Sequence, residues 1–154
     1  MYKQILCPID GSPTSDCGMN EAINLAKDQN AKLRFLHVID LYFPILDATG
    51  DLNMVYIDET LRRNGKKVLK RAEDSAHRAG VDSDSKEIDA LNNRVSECIV
   101  EEAREWSADL IVMGTHGLRG IERLVMGSDA ETVIRTSPVP VLLMRYESDT
   151  ENEK

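Results

Sequence analysis

Four glycines and a serine gather between residues 114 and 128, as Gly114-Thr115-His116-Gly117-Leu118-Arg119-Gly120 and then Gly127-Ser128. The apolar run Leu110-Ile111-Val112-Met113 leads in, and a helical stretch from Asp129 to Arg135 leads out. A strand, a glycine loop and a helix start in that order turn backbone N–H groups toward an anion, with the positive end of the helix dipole behind them. Glycines let the backbone approach oxygens closely. Ser128 adds a hydroxyl and an N–H. The chemistry this spacing suits is the cradling of phosphates. His116 and Arg119 are further candidate phosphate contacts, or solvated loop residues. Ser128-Asp129-Ala130-Glu131 also reads as a Ser-x-x-Glu capping box, which places Ser128 at the helix N-cap. The spacing is not that of a P-loop, because no lysine follows Gly127, nor that of a dinucleotide fingerprint, which follows an early strand.

A second cluster, Pro8-Ile9-Asp10-Gly11-Ser12, stands near the start of the chain. Asp10-Gly11 is a turn signal, and Ser12-Pro13 reads as an N-cap with proline at the first helical position. The Asp10 carboxylate suits a ribose hydroxyl, a metal, or simply the closing of its own turn.

These residues need a frame. Ile5 to Ile9 is a nearly continuous apolar run, the mark of a strand buried on both faces. Met19, Ala22, Ile23 and Ala26 follow at helical spacing. Leu33 to Ile39 is a second strand. The unpatterned stretch from Asp40 to Val55 is long enough to be functional or mobile. A helix with Leu61, Val68, Leu69, Ala72, Ala76 and Ala79 on one side ends at Gly80. Ser85 to Leu91 is a more polar strand, expected near an edge. A helix from Asn92 carries Val95, Cys98, Ile99, Ala103 and Trp106. Asp109 to Met113 and Pro138 to Met144 complete the strands. The alternation predicts an α/β fold: one domain, a doubly wound five-stranded parallel sheet with helices on both faces. Ligands of such sheets bind beyond the carboxyl ends of the strands, where the strand order reverses. The first and fourth strands are expected as neighbours there, which brings Asp10 to the glycine loop.

The spacing Gly114-x-x-Gly117-(nine residues)-Gly127-Ser128, the early Pro8-Ile9-Asp10-Gly11-Ser12 and the ending Ser137-Pro138-Val139-Pro140-Val141-Leu142-Leu143-Met144 resemble the universal stress protein family. The resemblance runs from Lys3 to Arg145. It implies a Rossmann-like, adenine-nucleotide-binding domain over residues 1–146, and a homodimer. It implies ATP, with AMP or ADP as alternatives, together with Mg or Mn held through the phosphates. It assigns the phosphates to Gly114, Gly117, Gly127 and Ser128, and the nucleoside to the neighbourhood of Pro8, Ile9, Asp10 and Val38. Ile9, Val38 and Met113 are expected to flank the adenine, and Gly120 belongs to the same loop. The chain departs from the family pattern at Asp129, where many motif-bearing relatives carry an apolar or hydroxyl residue. Near a triphosphate that carboxylate repels unless it faces away or takes a metal.

The resemblance implies a stress-response regulator with little or no catalysis. A slow ATPase or nucleotidyl-transfer enzyme, and a nucleotide-free interaction module, are the competing readings; His116 with Asp10 is not a diagnostic acid–base pair. The 154 residues suffice for one domain with a substantial core, and the net charge of −8 argues against nucleic acid or anionic membrane as a general partner. Residues 147–154 form a polar, acidic tail, expected to be frayed. Three cysteines without C-x-x-C spacing fit a reducing compartment; Cys7 and Cys98 are expected in the core. The three histidines lack metal-ligand spacing, and His37 reads as structural. No run approaches the ~20 apolar residues of a membrane span, and the start shows no signal-peptide pattern, so the cytoplasm is the expected location. Val141, Leu142, Leu143 and Met144 are expected on an edge strand that pairs with its own copy in the dimer.

Overall fold

The computed structural model describes residues 1–40, 54–116 and 126–146. In chain order its elements are β1 (Gln4–Pro8), α1 (Pro13–Gln29), β2 (Lys32–Ile39), α2 (Met54–Ala79), β3 (Ser83–Asp89), α3 (Val95–Glu105), β4 (Leu110–Gly114), α4 (Ser128–Thr136) and β5 (Val141–Met144). All four strand pairings are parallel, in the order β3-β2-β1-β4-β5. The order reverses between β1 and β4, as the sequence suggested. Residues 41–53, most of the unpatterned stretch, lie outside the described residues, as do Gly117, Arg119, Gly120 and the acidic tail. No helix among the described residues is long and apolar enough to cross a membrane.

Strand alternation sorts the side chains into two apolar layers. Ile5, Cys7, Leu33, Phe35, Leu110 and Val112 face α1 and α2, where Met19, Ala22, Ile23, Leu69, Ala72 and Ala76 meet them. Leu6, Leu36, Ile111 and Met113 face α3 and α4, against Ile99, Val100, Ala103, Ala130 and Val133. Both faces of the central strands are therefore dry, which is why β1 and β4 read as unbroken apolar runs. Cys7 and Cys98 are buried as expected, and burial pushes both thiols up, away from the reactive thiolate.

Local signals fix most of the boundaries. The Ser12 Oγ accepts the Ser15 N–H at 3.1 Å, with Pro13 opening α1. Gly80, at φ +77, closes α2 in a left-handed conformation that a side chain would strain. Three elements differ from expectation by two residues or more. β3 runs two residues earlier, from Ser83 to Asp89, because Ala90 and Leu91 turn: the Asn93 N–H donates to Ala90 C=O at 2.6 Å. The same turn delays α3 to Val95. β5 begins only at Val141, because Pro138 and Pro140 have no N–H for the ladder, though Pro140 still accepts from Ile111 N–H at 3.0 Å.

The β3 edge is closed by charge. Arg34 donates to Asp84 at 2.6 Å and to Glu102 at 2.9 Å, while stacking 4.6 Å above the Trp106 ring. Glu102 is 1% exposed and also accepts from Lys86. A carboxylate this deep persists only with such partners. Hydrogen bonds from the Arg34 guanidinium hold the Asp84 carboxyl below its usual range. A depressed carboxyl contributes stability above its unfolded pKa and loses it as pH falls through the folded one. Asp84→Asn is therefore expected to flatten the acid limb of the stability–pH curve below about pH 4, read by urea unfolding. Glu102→Ala should lower stability by about 2–3 kcal/mol at neutral pH in the same assay; an unchanged midpoint would mean that the cluster contributes nothing.

Candidate functional site

The carboxyl ends of β1 and β4 lie side by side, and the turn after β1 leads into the first turn of α1, which packs on Gly114 at the end of β4. Within that turn the Asp10 Oδ1 accepts the Ser12 N–H at 2.9 Å, and the Asp10 N–H donates to Ser15 Oγ at 3.1 Å. Asp10 thus does close its turn, with Gly11 at φ +82 supplying the left-handed step. Ile9 donates its N–H to Leu36 C=O at 2.8 Å, and its own C=O accepts from His37 Nδ1 at 2.9 Å. That bond fixes the Nδ1–H tautomer and makes His37 a brace between β2 and the β1 turn, the structural role the sequence suggested.

The three apolar side chains expected around one adenine do not share a face. Ile9 belongs to the α1/α2 layer, whereas Val38 and Met113 belong to the α3/α4 layer. Ile9 and Met113 are buried at 5% and 7% exposure, so both are already core residues. The pleat explains the split, since residues on neighbouring strands point the same way only in matching register. Pro8 ends β1 half-buried, where its missing N–H costs no ladder bond.

Gly114 has a packing reason that the spacing did not reveal. A methyl group there would sit 2.8 Å from the Thr14 carbonyl oxygen, in the first turn of α1. From the other side, a methyl at Gly18 would lie 3.2 Å from the Gly114 nitrogen. The two glycines let the helix backbone rest almost directly on the end of β4. Gly18 is the clue that sequence reasoning passed over: a glycine inside a helix costs roughly 0.5–1 kcal/mol relative to alanine, so it calls for a close neighbour.

Thr115, 6% exposed, closes the neck of the glycine loop. Its N–H donates to Met144 C=O at 2.9 Å and its C=O accepts the Gly127 N–H at 2.9 Å. Its hydroxyl is 3.0 Å from His116 Nδ1, and among the described residues the buried His116 Nε2 has no hydrogen-bond partner. Thr115 was missed because its contribution is largely backbone.

The start of α4 corrects the capping-box reading. Gly127, at φ −63 and ψ 147, is the N-cap, and its C=O accepts the Glu131 N–H at 3.0 Å. Ser128 is already helical and exposed, its C=O taking the Thr132 hydroxyl at 2.9 Å. A serine one residue inside the helix is not in the extended conformation from which a side chain caps the first turn. Because glycine has no side chain, the N-cap residue itself offers no acceptor to the first-turn N–H groups. Asp129 turns toward α3: its Oδ1 accepts the Ser96 N–H at 3.3 Å, in that helix's first turn. So the starts of α1 and α4 both pack on the end of β4, α1 through Thr14 against Gly114 and α4 through Gly127 on Thr115, and the Asp129 carboxylate is engaged by α3. Among the described residues no group of three His, Cys, Asp or Glu side chains is placed to hold a metal ion.

A family model described as the universal stress protein family matches residues 1–145. A universal stress protein of Methanocaldococcus jannaschii, MJ0531, is 35% identical over 145 residues, covering 94% of this chain and 83% of that protein. The crystal structure of a universal stress protein family member from Burkholderia pseudomallei superposes with a TM-score of 0.77 at 30% identity, covering 94% and 97% of the two chains. A universal stress protein crystallised in complex with cAMP superposes at 0.67 with 26% identity, covering 95% and 98%.

Two substitutions separate packing from electrostatics. Gly114→Ala is expected to cost about 1–3 kcal/mol of stability through overpacking against Thr14, whereas Gly127→Ala, meeting only Thr115 C=O at 3.2 Å, should cost less. Thermal melts of the two variants check this. Asp129→Asn should cost about 0.5–1 kcal/mol by weakening the cap on α3; no loss would contradict the Ser96 contact.

Proposed function

The chain belongs to the universal stress protein family, and from that premise we propose that it binds an adenine nucleotide in the crevice between the carboxyl ends of β1 and β4. The observation that carries the reading is the start of α4. A nine-residue helix with glycine as its N-cap stands at a topological switch point, beside a second helix N-terminus. First-turn N–H groups without a side-chain acceptor, backed by the helix dipole, suit phosphate oxygens. Gly127 and Ser128 then contact the phosphates, with Gly114, Gly117, Gly120, His116 and Arg119 contributing from the rest of the loop. Pro8, Ile9, Asp10, Val38 and Met113 bound the nucleoside side, largely through backbone. The ligand is ATP, or AMP or ADP in the same groove, and Mg or Mn is carried on the phosphates. The relative crystallised with cAMP supports an adenine ligand in this fold.

On this reading the protein is a cytoplasmic, homodimeric regulator of the stress response with little or no catalysis. The dimer forms through β5, an edge strand whose Val141, Leu142, Leu143 and Met144 are only half-buried in one protomer. Slow hydrolysis is a second reading, favoured by the unpartnered His116 Nε2 at the loop neck. Turnover abolished by His116→Gln, with binding intact, would establish it.

Isothermal titration with ATP, with and without magnesium, tests the main reading. Ser128→Ala should weaken binding about tenfold, or ~1.4 kcal/mol, without altering the melt. Asp129→Asn should leave affinity within about twofold, or ~0.4 kcal/mol. Absence of binding by the unaltered protein at millimolar ATP would reject the site. Val141→Lys is expected to give monomer in sedimentation with the circular dichroism unchanged; a persistent dimer would rule out the β5 edge.

A further inference from the structure

Away from the crevice, α2 presents a face that neither the core nor the nucleotide reading uses. Its inner side, Leu69, Ala72 and Ala76, is buried against the sheet. Its outer side is basic. The helix carries seven Lys and Arg against four Asp and Glu, a net +3 in a chain of net −8, so the remainder of the chain carries −11. Most long cations elsewhere on the helix are paired: Arg62 with Asp58 and Asp89, Lys70 with Asp74, Arg71 with Asp16. Arg63, Lys66 and Lys67 have no such partner among the described residues, and all three are exposed. They belong to a shallow trough that runs from Glu59 to Arg78, about 28 Å along the helix axis at 1.5 Å per residue. Two turns before Arg62 and Arg63, on the same stripe, Val55 and Tyr56 are 67% and 62% exposed.

We propose that this face of α2 is a docking surface for an acidic segment of a partner protein, with the Val55–Tyr56 end taking an apolar residue of that segment and Arg63, Lys66 and Lys67 taking its carboxylates. Unneutralised cations in a row raise one another's energy and are relieved by an anionic partner. Exposed tyrosine beside arginine is the composition of interface anchors rather than of ordinary surface. The length of the stripe selects the partner. A nucleic acid or a membrane extends well beyond ~28 Å and meets the −11 of the remaining surface, which repels it. A short acidic segment ends where the stripe ends.

The test uses the full chain and a fluorescent decaglutamate peptide, followed by anisotropy at about 50 mM salt, where screening is weak. One variant reverses the stripe, Arg63→Glu/Lys66→Glu/Lys67→Glu. A second makes the same change in net charge elsewhere, Lys27→Glu/Arg104→Glu/Arg135→Glu. Both are checked for fold by circular dichroism and for ATP binding by titration, so that loss of the nucleotide site is read separately. The expected result is binding that weakens at least tenfold, ~1.4 kcal/mol, in the stripe variant and no more than about twofold, ~0.4 kcal/mol, in the control. Equal weakening in both, or no peptide binding by the unaltered protein, overturns the proposal. So does tighter, stripe-dependent binding of a ten-nucleotide oligo-dT or of phosphatidylserine vesicles, which assigns the face to a polyanion or a lipid surface.

Discussion

Less than the width of a methyl group separates Gly114 from the backbone of Thr14. That contact sets the height and angle at which α1 rests on the sheet, and much of the architecture follows from it. With α1 seated on the end of β4, the turn after β1 must be tight, and Asp10, Gly11, Ser12 and Ser15 make it so through three side-chain bonds. Just past β4, Thr115 is fastened to β5 on one side and to the start of α4 on the other. Two helix starts thus approach the same strand end, held there chiefly by backbone contacts.

This explains which parts of the protein were legible in its amino-acid order. The sheet was, because β1 and β4 are apolar on both faces and only a covered parallel strand tolerates that. The first helix was, because Ser12 and Pro13 each do one job at one position. The candidate site was placed from glycines and a serine after the fourth strand, and the structure puts Gly114 at the end of β4 and Gly127 at the start of α4. Its details were not legible. Ser-x-x-Glu at residues 128–131 has the right types at the right spacing, but the helix starts one residue earlier, and a one-residue shift removes the cap. Asp129 read as a hazard to phosphates because its partner, the N–H of Ser96, lies thirty-three positions away and carries no side-chain signature. The apolar trio Ile9, Val38 and Met113 read as one wall because each ends a strand, yet the pleat sends them to two different layers.

Charge is distributed with the same asymmetry as packing. The cluster of Arg34, Asp84 and Lys86 around the buried Glu102 sits toward the amino-terminal half of β2 and β3, away from the carboxyl ends of the strands. It holds α3 against the sheet edge with fully paired groups. At the other end of the strands the side chains of Asp10, Ser12, Ser15 and His37 instead bond the backbone of the turn after β1.

The double duty of Thr115 has a consequence for communication across the molecule. Its amide belongs to the edge strand, through Met144, and its carbonyl belongs to the loop neck, through Gly127. A single residue, 6% exposed and therefore without room to tilt alone, is shared by both. A displacement of either neighbour is therefore carried to the other through that residue and its two hydrogen bonds. The edge strand and the start of α4, twelve residues or more apart in the chain, are thereby held at a common height by the two faces of one residue's backbone.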